Sequence, residues 1–228
     1  MIRYDVEQGS PEWFKLRLGI PTSSDFDKII TPAKGDLSKS ARKYAYYLVA
    51  EALMGEPMES VEGMQWMERG KLLEPQAAQH YCFSNSVEVM RAGFITTDDG
   101  RMGCSPDRLI VGANGGLEIK CPAPQTHIGY KLDGPGHDYR AQVQGQLLIA
   151  ELDWVDFVSF HPAMPHVQIR TYRDEEYIEK MIAALDEFCD LKDEMLERMR
   201  SSGFIYEAPK VLTPAEQAWG SEIQGEWN

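Results

Sequence analysis

The sequence lacks a long apolar run, and none of its stretches approaches the roughly 20 apolar residues of a membrane-spanning helix. Its first residues carry charges where a secretory signal peptide would be apolar. The 4 cysteines lie far apart, without the close Cys-x-x-Cys pairs of structural zinc and iron–sulfur sites. These absences predict a cytoplasmic protein without a membrane span, whose cysteines are reduced and mostly buried.

A positive net charge is also absent, since the formal net charge of the 228 residues is −13. Such a balance argues at first against nucleic acids as partners, because phosphate groups attract basic surfaces. The charge is unevenly distributed, however: residues 174–228 contain 14 acidic and 5 basic side chains, whereas residues 1–80 contain 12 and 10. The negative charge of acidic residues that hold metal ions would also be offset by the charge of those ions. A locally positive N-terminal face that binds DNA is therefore compatible with the composition.

Hydrophobic periodicity divides the chain into a helical part, a strand-rich part and a long helix. Residues 10–83 have helical spacing, residues 87–172 contain β-branched segments, and residues 174–200 carry one amphipathic stripe. We therefore predict a single α/β domain over residues 1–200, with a central mixed or antiparallel-rich sheet flanked by helices. Residues 201–228 mix glycine, proline and isolated tryptophans, which predicts a loosely ordered tail.

Turn residues and helix caps set the bounds of the predicted elements. The glycine-rich turn at residues 112–115 joins two of the predicted strands into a hairpin. Strands are predicted over residues 87–96, 101–111, 116–120, 154–160 and 167–172. Helices are predicted from Ser10 to Gly19, from Thr22 to Ile30, from Ser38 or Ser40 to Gly55, and over residues 64–83 and 137–150.

The predicted hairpin carries the residues most informative about chemistry. Ten residues separate Asp107 on its first strand from Glu118-Ile119-Lys120 on its second. Because side chains alternate along a strand, Glu118 and Lys120 point to the same face, while Ile119 points into the core. Asp107 can then join them, which brings two carboxylates and one amine together.

Paired hard oxygen ligands suit Mg²⁺ or Mn²⁺, and such an ion polarises a phosphate and lowers the pKa of bound water. A lysine beside that water can hold or deprotonate it, provided that the metal charge depresses the pKa of the lysine. Phosphodiester hydrolysis requires these parts together. Taken alone, however, a Glu-x-Lys pattern also fits the solvated face of an ordinary surface hairpin.

Four segments of the chain resemble the lambda exonuclease family of phage recombination nucleases (YqaJ type), within the PD-(D/E)xK nuclease superfamily. They run in the family's order between residues 12 and 144. The segments are EWFKLRLGI at 12–20 with TSS at 22–24, RGKLLE at 69–74, CSPD at 104–107 with LEIKCP at 117–122, and YRAQVQ at 139–144.

The resemblance implies a restriction-endonuclease-like core and an ATP-independent, processive 5′→3′ exonuclease that acts on ends of double-stranded DNA. Its products would be 5′-mononucleotides and a 3′ single strand, which a single-strand annealing protein would use in homologous recombination. The resemblance also implies a ring-shaped homotrimer and two Mg²⁺ ions in each active site, for which Mn²⁺ could substitute.

Roles in the chemistry are carried over residue by residue from the resemblance. Asp107, Glu118 and the backbone carbonyl of Ile119 would ligate the metal ions. Lys120 would position or activate the attacking water. Glu74 would support the second metal ion or its waters, although a solvated helix glutamate is the plainer interpretation of this residue.

Contacts with DNA are also implied by the resemblance. The pocket for the 5′ phosphate would consist of Arg17, Ser24, Ser105 and Gln142. These residue types suit the role, because arginine offers a fork of donors to phosphate and a helix start favours anions. Lys34 would contact DNA from a loop, and Met67 falls where the family places an apolar wedge between the end base pairs. Trp13 is expected in the core, and Gln144 is expected to be structural.

The sequence is also compatible with two other functions. An endonuclease or a RecB-like nuclease module of the same superfold would use the same metal site. A non-catalytic DNA-binding protein of this fold would not need the complete set of Asp107, Glu118 and Lys120, whose presence therefore argues against it.

Overall fold

The computed structural model describes residues 1–58 and 64–204, without the side chains of residues 64–68 and 71. The helices of these ranges are α1 (Pro11–Arg17), α2 (Phe26–Ile29), α3 (Ala41–Met54), α4 (Met64–Asn85), α5 (Pro124–Leu132), α6 (Arg140–Ile149) and α7 (Glu175–Ser201), and a 3-10 helix over Ser23–Asp25 precedes α2. The strands are β1 (Ile2–Tyr4), β2 (Val89–Met90), β3 (Phe94–Thr96), β4 (Gly103–Cys104), β5 (Arg108–Ile110), β6 (Gly115–Lys120), β7 (Trp154–Ser159) and β8 (Val167–Tyr172). No helix in this part of the chain is long and apolar enough to cross a membrane.

The strands form two sheets. The larger sheet has the order β2-β5-β6-β7-β8, and its strands pair antiparallel except for the parallel pair of β6 and β7. The smaller sheet has the order β1-β3-β4 and is antiparallel throughout. The predicted mixed, antiparallel-rich central sheet flanked by helices is thus confirmed, and the smaller sheet is an addition that the sequence did not predict.

Two predicted strands are wrong, because each contains a break at which the chain passes between the two sheets. The strand predicted over residues 87–96 is divided at Gly93, whose φ of 73° is readily accessible only to glycine. A Cβ atom there would lie 2.2 Å from the carbonyl oxygen of Tyr4, so the close approach of β1 also requires glycine. The strand predicted over residues 101–111 is likewise divided into β4 and β5 by residues 105–107.

Several helix ends lie where the predicted caps place them. Ser10 accepts a hydrogen bond from the backbone amide of Trp13 at the start of α1. Gly55 follows the last residue of α3 with a left-handed φ of 70°. Asp174 caps α7 by accepting a hydrogen bond from the amide of Tyr177. The prediction missed α5 and β1, which are short and lack a strong periodic pattern.

Helices cover both faces of the larger sheet. On one face, Ala77 and Tyr81 of α4 pack against Leu117 and Ile119 of β6. On the other face lies α6, which shares a core with α2, α3 and α7. Because successive side chains of β6 alternate between the faces, Glu118 points to the α6 side. The buried acidic residue is thereby placed between the sheet and a helix.

The remaining predictions about the whole chain have mixed outcomes. All 4 cysteines are free thiols: Cys104 and Cys189 are buried, and Cys82 and Cys121 are half-buried. Most of the tail predicted over residues 201–228 lies outside the described residues, and the single domain over residues 1–200 stays a prediction.

Candidate active site

A cavity of about 570 Å³ opens beside the end of β6. Among the residues assigned to the site from the sequence whose side chains the structure describes, all but Lys34 line it. The predicted residues in its wall are Arg17, Ser24, Glu74, Ser105, Asp107, Glu118, Ile119, Lys120 and Gln142. Side chains up to 125 positions apart in the sequence, from Arg17 to Gln142, therefore meet in one place.

Strand β6 brings Glu118 and Lys120 together as the period of a strand predicts. The Lys120 Nζ lies 2.7 Å from the Glu118 Oε1, and Glu118 is only 2% exposed. Ile119 points to the opposite side, where it packs against α4. The expected alternation is confirmed, and it places a buried ion pair at the cavity.

Asp107 directly precedes β5, the neighbour of β6. Its Oδ2 accepts a hydrogen bond of 2.6 Å from the backbone amide of Ile119. Burial raises the pKa of Asp107 well above its usual range, and the nearby negative charge of Glu118 raises it further. Two carboxylates thus share a space in which their charges oppose each other.

Lys120 brings a positive charge to these two carboxylates. Its ammonium forms an ion pair with Glu118, and its charge also acts on Asp107. Burial works to lower the pKa of Lys120, but the charges of Glu118 and Asp107 outweigh it, so that the pKa is raised. The ammonium also lies 5.0 Å from the ring centroid of Tyr139. The depressed pKa expected of a water-activating lysine therefore depends on the charge of a metal ion.

Helix α6 supplies two glutamines that hold Glu118. The Gln142 Nε2 donates to the Glu118 Oε1 at 2.6 Å, and the Gln146 Nε2 donates to the Glu118 Oε2 at 2.6 Å. The resemblance assigned Gln142 to the phosphate pocket; it does line the cavity, but its amide is engaged with the acidic residue. Gln146 was missed, although the i, i+4 spacing of the two glutamines on a predicted helix signals a shared face.

Helix α1 and the 3-10 helix form the opposite wall of the cavity. The Arg17 Nη2 donates to the Thr22 Oγ1 at 3.0 Å and to the Ser24 Oγ at 3.5 Å. Burial lowers the pKa of Arg17, yet a guanidinium stays protonated at neutral pH. A half-buried cation beside two hydroxyl groups is well suited to bind a phosphate group.

Trp13 corrects the expectation that this residue belongs to the core. It is half-buried and lines the cavity. Its Nε1 donates to the Ser105 Oγ at 3.0 Å, and the Arg17 guanidinium carbon lies 4.0 Å from its ring centroid. The spacing of Trp13 and Arg17 at i, i+4 on one helix was the available signal. Trp13 therefore links two residues of the predicted phosphate pocket.

Close packing of α6 brings the two walls together. A Cβ atom on Gly145 would lie 2.7 Å from ring atoms of Phe26, so α6 approaches α2 only because residue 145 has no side chain. Gln142, one turn earlier on α6, thereby lines the same cavity as Ser24.

Glu74 lines the cavity from α4, where its carboxylate pairs with the Arg108 guanidinium at 2.7 Å. Arg108 belongs to β5, so this ion pair ties α4 to the strand that follows Asp107. The expected support of a second metal ion by Glu74 stays a prediction. Lys34 is an exposed loop residue outside the cavity wall formed by the described residues, and the side chain of Met67 lies outside the described part.

The donor set fits a divalent cation in its chemistry. Among the described residues, no cluster of three or more His, Cys, Asp or Glu side chains is already arranged to hold one. Asp107 and Glu118 nevertheless offer hard oxygen donors next to each other, as does the carbonyl of Ile119. Burial raises the pKa of Asp107 and the charge of Glu118 raises it further, and a bound cation would oppose both effects by favouring the ionised carboxylate. Magnesium or manganese is thus compatible with these residues.

Comparison with known structures identifies the fold. An alkaline exonuclease (LHK-Exo) from Laribacter hongkongensis superimposes with a TM-score of 0.76 at 28% identity, covering 85% of this chain and 98% of that chain. A structure described as LHK-Exo in complex with dAMP aligns with the same TM-score and coverage at 30% identity. A phage related exonuclease from Haemophilus somnus 129PT shares the fold at 16% identity, with a TM-score of 0.64 and coverage of 79% and 96%. The chain thus has the restriction-endonuclease-like fold of alkaline exonucleases.

The family follows from the sequence match. Residues 12–153 match the family model of the YqaJ-like viral recombinase domain, which is more than half of the chain. This range contains every residue of the cavity wall named above. No curated protein matches the chain. The chain belongs to the YqaJ-like viral recombinase family, as the four sequence segments predicted.

Proposed function

We propose that this protein is a metal-dependent, ATP-independent exonuclease that degrades one strand of double-stranded DNA from its 5′ end. The observation that carries the proposal is the union, in one cavity, of a phosphate-binding wall with an acidic wall. Arg17 and Ser24 belong to the first wall, and Asp107, Glu118 and Lys120 belong to the second. A cavity of about 570 Å³ lies in the size range of small-ligand sites and accommodates a terminal nucleotide.

The phosphate-binding wall would select the end of the strand. A terminal phosphate carries nearly two negative charges, whereas an internal phosphodiester carries one. The half-buried guanidinium of Arg17 and the hydroxyl groups of Ser24 and Ser105 therefore favour a phosphorylated 5′ end. Bound there, the terminal nucleotide would present its 3′-side phosphodiester to the acidic wall.

The acidic wall would carry out hydrolysis. Asp107, Glu118 and the Ile119 carbonyl would hold two Mg²⁺ ions, with Glu74 supporting the second. When bound, the metal supplies polarisation of the phosphate and acidification of water. Lys120 would hold the attacking water by hydrogen bonding from its ammonium group, beside Glu118 at 2.7 Å. Hydrolysis would join the water oxygen to phosphorus and break the bond from phosphorus to the 3′ oxygen of the terminal nucleotide. The cleaved phosphate then becomes the new 5′ phosphate of the strand, and the released unit is a 5′-mononucleotide that keeps its own 5′ phosphate, consistent with the dAMP complex of the similar exonuclease.

The wider biological setting is proposed from family membership. A 3′ single strand left by this digestion would be a substrate for an annealing protein in phage-type recombination. A homotrimeric ring would keep the enzyme on its DNA and make digestion processive. The proposed DNA substrate also favours the cytoplasmic location that the sequence predicts.

Linear and closed circular forms of the same plasmid test the proposal. With MgCl₂ and no ATP, the linear 5′-phosphorylated form should be shortened to mononucleotides and single strands, while the closed circle stays intact. Addition of EDTA should stop the digestion. Cutting of the closed circle would instead identify an endonuclease of the same fold, and digestion from 3′ ends would contradict the proposed polarity.

A further inference from the structure

The carboxylate of Glu118 is held from both sides by two glutamines of α6. The Glu118 Oε1 accepts from Gln142 at 2.6 Å and lies 2.7 Å from the Lys120 ammonium. The Glu118 Oε2 accepts from Gln146 at 2.6 Å. Rotation about the last torsion of a glutamate is soft, so the direction of its carboxylate is set by such partners. Each oxygen of Glu118 therefore has a donor that opposes its rotation.

The two glutamines differ in their access to a substrate. Gln142 is half-buried and lines the cavity. Gln146 is 0% exposed and is not in the cavity wall formed by the described residues. Gln146 can therefore affect a reaction in the cavity only through Glu118.

The second amide atom of Gln146 shows that this residue does more than fill space. Its Oε1 is buried and has no hydrogen-bond partner among the described residues. Exchanging the nitrogen and oxygen of the amide would not give a better set of hydrogen bonds. The Oε1 would then face the Glu118 Oε2, and two acceptors would meet. A buried carbonyl without a partner lowers stability, so an apolar side chain of equal length would suit a purely structural position better.

We propose that Gln146 is a positioning residue, which orients Glu118 for the divalent cation and the chemistry of the proposed nuclease. The inference rests on the proposed function of the cavity. With Gln146 in place, the Oε2 of Glu118 is held while one of its lone pairs stays available to a further partner. Without Gln146, the carboxylate is drawn toward Gln142 and Lys120, both of which bind the other oxygen.

A matched pair of variants on the same helix tests this role. Gln146→Met keeps the length of the side chain and removes the donor to Glu118. The control is Gln144→Met, since Gln144 is equally buried but bonds to the Tyr172 carbonyl at 2.9 Å and the Asp174 amide at 3.0 Å. Removing an outer partner of a metal ligand typically costs roughly 10- to 100-fold in activity or metal affinity. Gln146→Met should lower the single-turnover cleavage rate by that factor, whereas Gln144→Met should lower the Tm and leave the rate near that of the wild type.

Metal binding provides a second measurement that does not depend on cleavage. Titration of MnCl₂ into the DNA-free protein, followed by calorimetry, should give a roughly 10- to 100-fold weaker Kd for Gln146→Met than for the wild type. The Tm of the metal-free variant should stay within a few degrees of the wild-type value. If Gln146→Met does not fold, Gln146→Asn keeps the amide, shortens its reach and serves in the same comparison.

The outcomes separate this inference from the proposed function. Wild-type cleavage and wild-type Mn²⁺ affinity in the Gln146 variants would refute the positioning role, as would losses that merely follow a lowered Tm. A wild-type protein that fails to digest linear DNA would refute the proposed function instead. In that case, an unchanged Tm with weakened Mn²⁺ binding in Gln146→Met would still support the orientation of Glu118 by Gln146.

Discussion

Two aspartates on opposite faces of the central sheet differ in how far hydrogen bonds and opposite charges compensate their carboxylates. On the α4 face, Asp156 of β7 is 0% exposed and accepts two hydrogen bonds of 2.8 Å from Arg170. Tyr81 and Gln168 donate to it as well, at 2.7 and 3.0 Å. On the α6 face, Asp107 accepts from one backbone amide and lies near the like charge of a second carboxylate, so that its pKa is raised.

The difference separates a structural charge from a functional one. Asp156 has four donor contacts for about four lone-pair sites, so it has little left to offer a ligand, and its removal leaves those donors unpaired. Glu118 has three donors, which leaves one lone pair of its Oε2 for a cation. A carboxylate that is buried beside another negative charge is poorly compensated until a cation arrives. Asp156 therefore belongs to the framework of the fold, and Asp107 to the proposed chemistry. The predictions that follow test this distinction.

The largest expected effect is the loss of cleavage when the α6 face is altered. Lys120→Ala and Asp107→Asn should each lower the rate of DNA digestion by about 10³-fold, because both remove a group of the proposed hydrolytic wall. Asp107→Asn should lower the Tm by no more than a few degrees, since it removes a charge that burial and Glu118 disfavour. Lys120→Ala leaves the buried Glu118 without its cation and should lower the Tm, so its digestion rate is measured at a temperature where the variant is folded. Circular dichroism melts and a digestion assay on linear duplex measure both quantities. Wild-type activity in either variant would end the proposed mechanism.

A loss of stability is expected when the α4 face is altered. Asp156→Ala leaves the donors of Arg170, Tyr81 and Gln168 without their acceptor. The free energy of unfolding should fall by about 3 kcal/mol, the lower end for a broken buried pair, because the Arg170 side chain is 41% exposed and can be hydrated. For a chain of this size that loss lowers the Tm by about 6 to 12 °C.

The control for Asp156→Ala is activity at low temperature. Digestion at a temperature where the variant is folded should match the wild type, since Asp156 lies on the α4 face of the sheet and does not line the cavity. A loss of activity with an unchanged Tm would contradict the structural role assigned to Asp156.

The phosphate-binding wall gives a smaller and selective effect. Arg17→Ala should reduce the preference for 5′-phosphorylated over 5′-hydroxyl duplex ends by about 10- to 100-fold, because one charge-assisted contact to phosphate is lost. Rates on the two substrates, compared at limiting enzyme, give this ratio. Lys15→Ala is a suitable control, since Lys15 is an exposed residue of the same helix. Equal losses on both kinds of end would contradict the role of Arg17.

The smallest expected effect is a change in the pH dependence of stability. Because burial and Glu118 raise the pKa of Asp107, the folded protein binds this proton more tightly than the unfolded chain does. The stability that protonation contributes is present at low pH and is lost as the pH rises from 3.8, the ordinary value, through the raised pKa. Asp107→Asn should therefore flatten this part of the curve.

Thermal melts of the EDTA-treated protein between about pH 4 and 8 measure that slope, in the range where a raised carboxyl pKa titrates. Addition of MnCl₂ at neutral pH should raise the Tm of the wild type, because a cation that binds only the folded state stabilises it. Parallel curves for wild type and Asp107→Asn would mean that Asp107 does not titrate in this environment.

Local patterns predicted much of the fold and part of the site. The cap at Ser10 and the end of α3 at Gly55 depend on a few neighbouring residues, and they were predicted correctly. The same holds for the shared face of Glu118 and Lys120, which follows from the period of a strand. The pocket residues were predicted by resemblance to a family, since no local rule connects Arg17 to them.

Long-range packing accounts for what the sequence could not predict. At Gly93 the chain passes from the larger sheet to the smaller one. The need for glycine there follows from the close approach of the Tyr4 carbonyl, which the sequence does not indicate. Trp13 was placed in the core because its apolar neighbours are local, whereas its partner Ser105 is 92 residues away. The raised pKa of Lys120 is likewise a sum over neighbours from two strands.

By itself, the sequence determined which groups could do chemistry and which of them share a face, because strand and helix periods are set within a few residues. Tertiary structure decided which of those charged groups have their charge balanced by hydrogen-bond donors and opposite charges. Asp107 and Asp156 are the same kind of residue in the sequence. Distant partners make Asp156 part of an ion pair that supports the fold, whereas Asp107 stays available to a cation. Desolvation and Coulomb interactions depend on distances in space, which no local pattern specifies.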